Sequence, residues 1–299
     1  MASLSKALKI ALIQFTVTAD KAANLSTVKA KIAQAAANGA KLVVLPECFN
    51  SPYAVSAFPK YAESIPAGET TQYLSSIAKE QKVFLIGGSI PEVVSENGSP
   101  KYYNTNISFA PDGRLLATHR KVHLFDINVP GKIRFMESDI LSPGDHATSF
   151  SLDPYGRVGL GICYDVRFPE LAAVSTRANP ATGTPRAFAM IYPGAFNTTT
   201  GPLHWSLLAR ARAVDNQTYV LMCSPSRDLS SSYHAYGHSL VVDPWGEIVA
   251  EAAEGDEIVY AELDPERLDS VASSIPVSTQ RRYPVYDDVL KYAKVGNGL

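Results

Sequence analysis

The chain has 299 residues, 46% of them hydrophobic and 19% charged, with 27 Lys and Arg against 29 Asp and Glu. A chain of this length can bury roughly three quarters of its unfolded surface, which excludes a disordered or collagen-like polymer, and a formal charge of −2 gives no global pull toward nucleic acid or anionic lipid. No run approaches the roughly 18 apolar residues of a membrane span, and three cysteines suit a reducing compartment better than a disulfide scaffold.

The N-terminal MASLSKALK leads into an apolar stretch, Ala7 to Val17, broken by Lys9, Gln14 and Thr16 and lacking a small-residue cleavage site. It reads as a first strand rather than a signal peptide, and a transit peptide would have to consume that strand. A cytoplasmic protein is expected, with partial mitochondrial residence left open.

From there the predicted elements run in order. KIALIQF (Lys9 to Phe15) is a strand, and apolar spacing through Leu25, Val28, Ile32 and Ala35 predicts a helix with Asn24 as N-cap and Gly39 beyond its end. KLVVLPECF (Lys41 to Phe49) is an apolar run suited to a buried strand. A helix near Thr71 to Gln81 follows, then the strand KVFLIGGSI and a hairpin turning at Asp112-Gly113. The stretch from Val129 to His146 reads as a long irregular loop of the kind that is usually functional. The order then repeats: the strand RVGLGICYD (Arg157 to Asp165), a helix opening at Pro169 and Glu170, an insertion NPATGTP around Thr182, and the strand AFAMIYPGAF (Ala187 to Phe196). A helix near Leu203 to Asn216, the strand TYVLMCSP and a hairpin turning at Pro244 to Gly246 complete it.

Two halves, about 9–145 and 157–265, with a C-terminal arm over about 266–299, are thus expected within one domain spanning 1–299. Each half predicts a sheet with helices on one face, and the bare faces must be buried on each other. The expected fold class is α/β, a four-layer α-β-β-α sandwich.

Several side chains could carry chemistry. Cys163 stands where a strand ends and a helix begins, the edge at which α/β folds bind ligands. A thiol there can be a nucleophile, with the N–H of Tyr164 donating to an oxyanion, or a buried structural cysteine. Cys223, within an apolar strand, reads as core and Cys48 as structural. Glu47 closes the second strand of the first half, and the internal repeat brings it to the rim where Cys163 closes its strand. A carboxylate near pKa ~4.3 is a poor base for a thiol near ~8.5. Burial must raise the one and a cation must lower the other. Lys121, in HRKVHLFD, is the candidate cation, and Glu137 lies in the long loop. The pairs His119/His123 and His234/His238 have a helical metal spacing but fall in extended or turn segments, so no metal is expected. Gly159-Leu160-Gly161 lacks the third glycine of a dinucleotide fingerprint.

LVVLPECF, HRKVHLFD and GICYDVRFPE together resemble the Glu–Lys–Cys motifs of the nitrilase (carbon–nitrogen hydrolase) superfamily, in the right order, over about Lys9 to Tyr286. NSPYAVSAF, KVHLFDINVPGKIRFMES, YPGAFNTTTGPLHW, RARAVDNQTYV and SYHAYGHSLVVDPWGE are similar to its omega-amidase branch. The resemblance implies the four-layer fold, a homodimer and hydrolysis of the terminal amide of 2-oxoglutaramate or 2-oxosuccinamate through a cysteine thioester. It also implies a second-glutamate role for Glu137 and a reaction without metal or cofactor. The insertion around Thr182 is longer than the resemblance predicts and is expected at the surface. Arg167 is the candidate partner of the far carboxylate of the substrate, with a salt bridge to Glu170 as its alternative role. Tyr53 and Phe196 are expected to line the pocket and Thr199 to add a hydroxyl. The alternatives are an amidase acting on deaminated glutathione, or a catalytically silent binding partner with the same fold.

Overall fold

The computed structural model describes residues 3–131, 133–179 and 182–296. The chain opens with strand β1 (Leu8–Gln14), helix α1 (Lys21–Ala37) and strand β2 (Leu42–Val44). The short α2 (Phe58–Tyr61), α3 (Glu69–Gln81) and β3 (Phe84–Ile86) follow. β1, β2 and β3 lie parallel and adjacent, as right-handed β-α-β connections require. An antiparallel meander, β4 (Ile90–Glu96), β5 (Ser99–Phe109) and β6 (Leu115–Arg120), extends the same sheet. A two-stranded ribbon, β7 (Asp126–Val129) and β8 (Ile133–Met136), stands apart from both large sheets.

The second sheet repeats the plan. β9 (Ala147–Leu152) pairs with β10 (Gly156–Leu160), α4 (Pro169–Thr176) leads to β11 (Ala187–Pro193), and α5 (Gly201–Asn216) leads to β12 (Tyr219–Cys223). β10, β11 and β12 are parallel, and the hairpin β13 (Leu240–Val242) and β14 (Ile248–Glu251) closes that edge.

Strand alternation decides the layers. Ile10, Leu12, Leu42 and Val44 of the first sheet meet Val158, Leu160, Ile191 and Leu221 of the second in one core. The alternate residues Ala11, Ile13, Val43 and Leu85 face outward and pack on Val28 and Ile32 of α1 and Leu74 and Ile77 of α3. On the opposite side Met190, Tyr192, Val220 and Met222 pack on Ala172 of α4 and Trp205, Ala209 and Ala213 of α5. The result is the α-β-β-α sandwich, two seven-stranded sheets with helices outside both.

Three details depart from the sequence expectation. α1 is capped by Asp20, whose carboxylate accepts from the Ala23 N–H. Asn24 is instead buried in the first turn, its amide exchanging hydrogen bonds with the backbone of Thr18. The residue that caps must have extended backbone, and Asp20 does. The long loop contains the β7–β8 ribbon and a 3-10 turn at Glu137–Asp139. Strand β15 (Glu257–Leu263), assigned by order to the second half, crosses over and pairs antiparallel with β1, Leu8 opposite Leu263. It ties the two sheets together covalently at the edge. Beyond it, α6 (Pro265–Ser274) and the arm return to the second sheet, where β16 (Val295–Gly296) adds to the β9 edge and Asp288 pairs with Arg177. Part of the insertion at Thr182 lies outside the described residues. Its flanks close through a bridge between Asn179 and Thr184, and Thr182 is exposed.

Candidate active site

The ends of the parallel strands converge on one rim. Glu47 follows β2 by three residues, since pairing of that strand ends at Val44 and the chain turns through Pro46. Lys121 is the first residue beyond β6, and Glu137 opens the 3-10 turn after β8. Cys163 follows β10 and begins the short 3-10 turn Cys163–Arg167.

These four meet out of water. The Lys121 ammonium donates to Glu47 Oε1 at 3.0 Å and to Glu137 Oε1 at 3.0 Å, and lies 2.9 Å from Glu137 Oε2, with all three side chains fully buried. An ammonium has three donors, so one N–H remains beyond those aimed at the two carboxylates. Glu47 Oε1 also accepts from Asn104 Nδ2 at 2.8 Å, and its Oε2 accepts from the Ala195 N–H at 2.9 Å. Glu137 Oε2 accepts from the Phe125 N–H at 2.7 Å, and its Oε1 from the Tyr53 hydroxyl at 2.9 Å. The Cys163 thiol lies beside the Glu47 carboxylate and the Ala195 N–H.

The electrostatics follow from this inventory. Burial raises the Glu47 carboxyl; Lys121 opposes that and Glu137 adds to it, and the sum lies above the ordinary carboxylate. Burial also works against the Lys121 charge, but Glu137 and Glu47 outweigh it, so the ammonium is held firmly protonated. Burial, then the Glu47 charge, push the Cys163 thiol well above an ordinary cysteine despite Lys121 and the Ala195 N–H. From the sequence, the gap between base and thiol is expected to close from both sides. The carboxyl has risen, but the thiol has risen too, because burial and the neighbouring Glu47 charge outweigh Lys121 and the Ala195 N–H. The resting site is therefore a neutral thiol beside an anion-rich cluster.

The backbone is shaped for this placement. Cys163 has φ +48°, a left-handed conformation that disfavours a residue with a Cβ. Gly194 passes so close that an added Cβ would lie 3.2 Å from the Cys163 Cα and 3.2 Å from the Trp205 ring. Tyr164 directly follows the cysteine in the same turn, its ring against Phe125 and Phe168.

A cleft of about 440 Å³ reaches Glu47, lined by Thr18, Ser51, Tyr53, Ser226 and Tyr233 among others. Tyr53 and Tyr233 pack with Phe135 of the ribbon over it, Tyr53 stacked on Phe135 at 5.4 Å. A larger cavity of about 910 Å³ lies under the C-terminal arm, between residues such as Arg186 and Arg281, and none of the four clustered groups lines it.

Tyr53 thus joins the cluster directly. Arg167 lies to one side, its guanidinium 4.8 Å over the Phe196 ring and 5.4 Å over that of Tyr164. Its Nη1 faces His204 Nδ1 at 3.2 Å, not Glu170, and its buried Nε has no partner among the described residues. Thr199 gives its N–H to Asn197 Oδ1 at the start of α5. Phe196, Arg167 and Thr199 are not among the residues lining the cleft that reaches Glu47. Cys48 is buried against Phe58 and Leu141 in a turn, with φ +49°, rather than on a continuing strand. Cys223 is core, its thiol 3.4 Å from the Ile13 and Val44 carbonyls.

Asn104, Tyr233 and Asp165 were not singled out from sequence. The polar run Asn104-Thr105-Asn106 within a strand was the available signal for the first, since buried polar groups need partners. Asp165 is fully buried, with Oδ1 accepting from the N–H and Nδ1 of His123 at 2.9 and 2.8 Å. Its Oδ2 accepts from the Ile162 N–H at 2.9 Å and His119 Nε2 at 3.3 Å. The His119/His123 spacing therefore serves a carboxylate.

Residues 9–273 match the carbon–nitrogen hydrolase family. The chain is 54% identical over 292 residues to the omega-amidase NIT3 of Saccharomyces cerevisiae, covering 96% of this chain and 97% of that protein. It is 52% identical over 278 residues to the human omega-amidase NIT2, covering 93% and 96%. The crystal structure of Saccharomyces cerevisiae Nit3, a member of branch 10 of the nitrilase superfamily, superposes with a TM-score of 0.83 at 52% identity, covering 94% of this chain and 99% of that one.

Burial raises the Asp165 carboxyl, but hydrogen bonds from His119, His123 and the Ile162 N–H outweigh it and hold the group well below an ordinary aspartate. A carboxyl depressed in the folded state stabilises fully above its unfolded value, near ~3.9, and loses that contribution as pH falls below it. Asp165→Asn is therefore expected to lower the urea midpoint at pH 6 and to lower it less at pH 3. An equal loss at both values would remove the ionic explanation.

Proposed function

This chain belongs to the carbon–nitrogen hydrolase family, and we propose that it is an omega-amidase. The substrates are 2-oxo diacid monoamides, 2-oxoglutaramate and 2-oxosuccinamate, hydrolysed to the 2-oxo diacid and ammonia. The observation that carries the assignment of roles is the buried contact of Glu47 and Lys121 beside the Cys163 thiol.

The charge balance dictates the order of events. A free thiolate would add a third anion to Glu47 and Glu137 around a single ammonium, so the proton leaves Cys163 as the carbon–sulfur bond forms. Glu47, its carboxyl raised by burial, takes that proton as general base. Negative charge then moves outward to the amide oxygen, where the remaining Lys121 N–H and the Tyr164 N–H receive it. Such donors are typically worth about 3–4 kcal/mol each. Glu47 returns the proton to nitrogen, the carbon–nitrogen bond breaks and ammonia departs, leaving a thioester on Cys163. A water deprotonated by Glu47 attacks the thioester carbonyl, the carbon–sulfur bond breaks, and the proton restores the thiol. Glu137 holds Lys121 from the far side and keeps its ammonium oriented throughout. Every step is assigned to a side chain or backbone group of this chain.

For the far carboxylate of the substrate we assign Arg167, whose Nε is buried without a partner among the described residues and whose guanidinium lies 4.8 Å over the Phe196 ring; Tyr53 lines the cleft that reaches Glu47, and Phe196 and Thr199, which lie outside that lining, are assigned with Arg167 to the substrate's far end. Leu203, Leu207 and Val214 expose their side chains along α5, and we propose that a second copy covers them in a homodimer. The three free, buried cysteines suit a reducing, cytoplasmic setting. Among the described residues no helix is long and apolar enough to cross a membrane.

Purified protein should release ammonia from 2-oxoglutaramate, and Cys163→Ala should abolish release. Silence of the wild type with Cys163 still alkylated by iodoacetamide would discard the substrate and make deaminated glutathione the next one tested. Ordinary thiol reactivity in a silent protein would point to a binding scaffold. Arg167→Ala should raise KM for dicarboxylate-type amides more than for neutral ones; an equal rise would end its carboxylate role. Sedimentation should give a dimer that Leu207→Glu dissociates, and a wild-type monomer would remove the dimer.

A further inference from the structure

Two segments must be held in fixed relation for the proposed chemistry: the one carrying Lys121 and the elbow carrying Cys163. The hydrogen bonds between them pass through one side chain. Asp165 sits two residues past the cysteine, and its Oδ2 accepts the Ile162 N–H while its own N–H returns to the Ile162 carbonyl at 3.0 Å. That reciprocal pair brackets Cys163 and fixes the turn in which its φ is +48°. The other lone pairs of the same carboxylate face the Lys121 segment. His119 and His123, two residues before and two after Lys121, both donate to it, and so does the His123 backbone N–H.

The partners of these histidines define their roles. A carboxylate only accepts, so His119 donates from Nε2, while its Nδ1 meets the Thr148 hydroxyl on β9 at 2.9 Å. His123 lies flat on Phe168 at 3.6 Å and 7°, the residue that ends the elbow turn. All of Asp165 and His119 is buried. Four donors on two oxygens leave no capacity for a substrate, and none of the three residues lines the cleft that reaches Glu47. The group is therefore not a catalytic residue.

We propose that Asp165, through His119 and His123, is a positioning residue that locks the Lys121 segment to the Cys163 elbow and so sets the distance between nucleophile and cation. This rests on the roles given above to Cys163 and Lys121. Without the clamp each segment keeps its own sheet, β6 on the first and β10 on the second, so the fold survives while the relation across the sheets loosens. A shift of order 1 Å in such a relation costs roughly 100-fold in rate.

The test is Asp165→Asn, which sets an amide NH2 against donors, beside His123→Phe, which keeps the stack on Phe168 and removes only the Nδ1 bond. Iodoacetamide labelling of Cys163 counts competent sites, and its rate constant needs no substrate. Turnover of 2-oxoglutaramate is then expressed per labelled site. Asp165→Asn should lose roughly 10- to 100-fold in kcat per site with KM little changed, and its labelling rate should fall. His123→Phe should lose several-fold. A purely structural role would lower the number of sites and leave kcat per site at the wild-type value, and that outcome overturns the clamp. Should Asp165→Asn fail to fold, an unchanged kcat per site in His123→Phe does the same. A wild type inactive on this amide faults the substrate assignment alone, and an unchanged labelling rate in the variants then overturns the clamp by itself.

Discussion

A lysine ammonium with no access to water is the constraint around which this molecule is arranged. Taking such a charge out of water costs several kcal/mol, and the cost is tolerable only when opposite charge and hydrogen bonds surround it. Lys121 has both Glu47 and Glu137 within 3.0 Å, and each carboxylate is in turn held by Asn104, the Ala195 N–H, Tyr53 or the Phe125 N–H. Those partners come from β5, the loop after β11, the turn after β2 and the entry to β7. One buried charge therefore draws both sheets and the ribbon to a common point, and the cluster is left with one more anion than cation.

That excess explains the chemistry better than any single residue does. In the resting state burial, with the Glu47 charge adding to it, keeps the Cys163 thiol protonated, and burial, with Glu137 adding to it, raises the Glu47 carboxyl toward accepting a proton. In the proposed mechanism, the negative charge that develops on a substrate carbonyl forms outside the cluster, facing the ammonium rather than between the carboxylates. The pre-set dipoles and the ammonium then do in the transition state what they cannot do for the free thiolate. The aromatic cover of Tyr53, Tyr233 and Phe135 keeps the surroundings of low polarity, where such interactions are strongest.

The repeated strand–helix–strand–helix order, and with it the sandwich, was legible in the sequence because buried parallel strands must be apolar and their helices must present one apolar stripe. The meeting of Glu47, Lys121 and Cys163 was legible because Glu47 and Cys163 each follow an apolar strand that the repeat brings to one rim, and a carboxylate buried beside a thiol needs a cation near it. Asn24 and the β7–β8 ribbon were misread for local reasons: two cap-forming residues compete within one turn, and the ribbon's alternation spans only four residues on each strand around a Pro-Gly turn, too short to stand out from a loop. Strand β15 could not be assigned to the first sheet, since alternation specifies which face is buried and never which strand lies alongside.

By itself the sequence determined the layers, the rim and the identity of the reactive groups, since all three follow from local pattern and residue chemistry. Only the tertiary structure decided that Glu47 and Glu137 share a single lysine, that the thiol is raised rather than lowered, and that Asp165 joins the two segments on which the site depends. Each of these is a distance between residues far apart in the chain. Charge–charge and hydrogen-bond energies depend on such distances and on the exclusion of water, and neither is encoded at any one position.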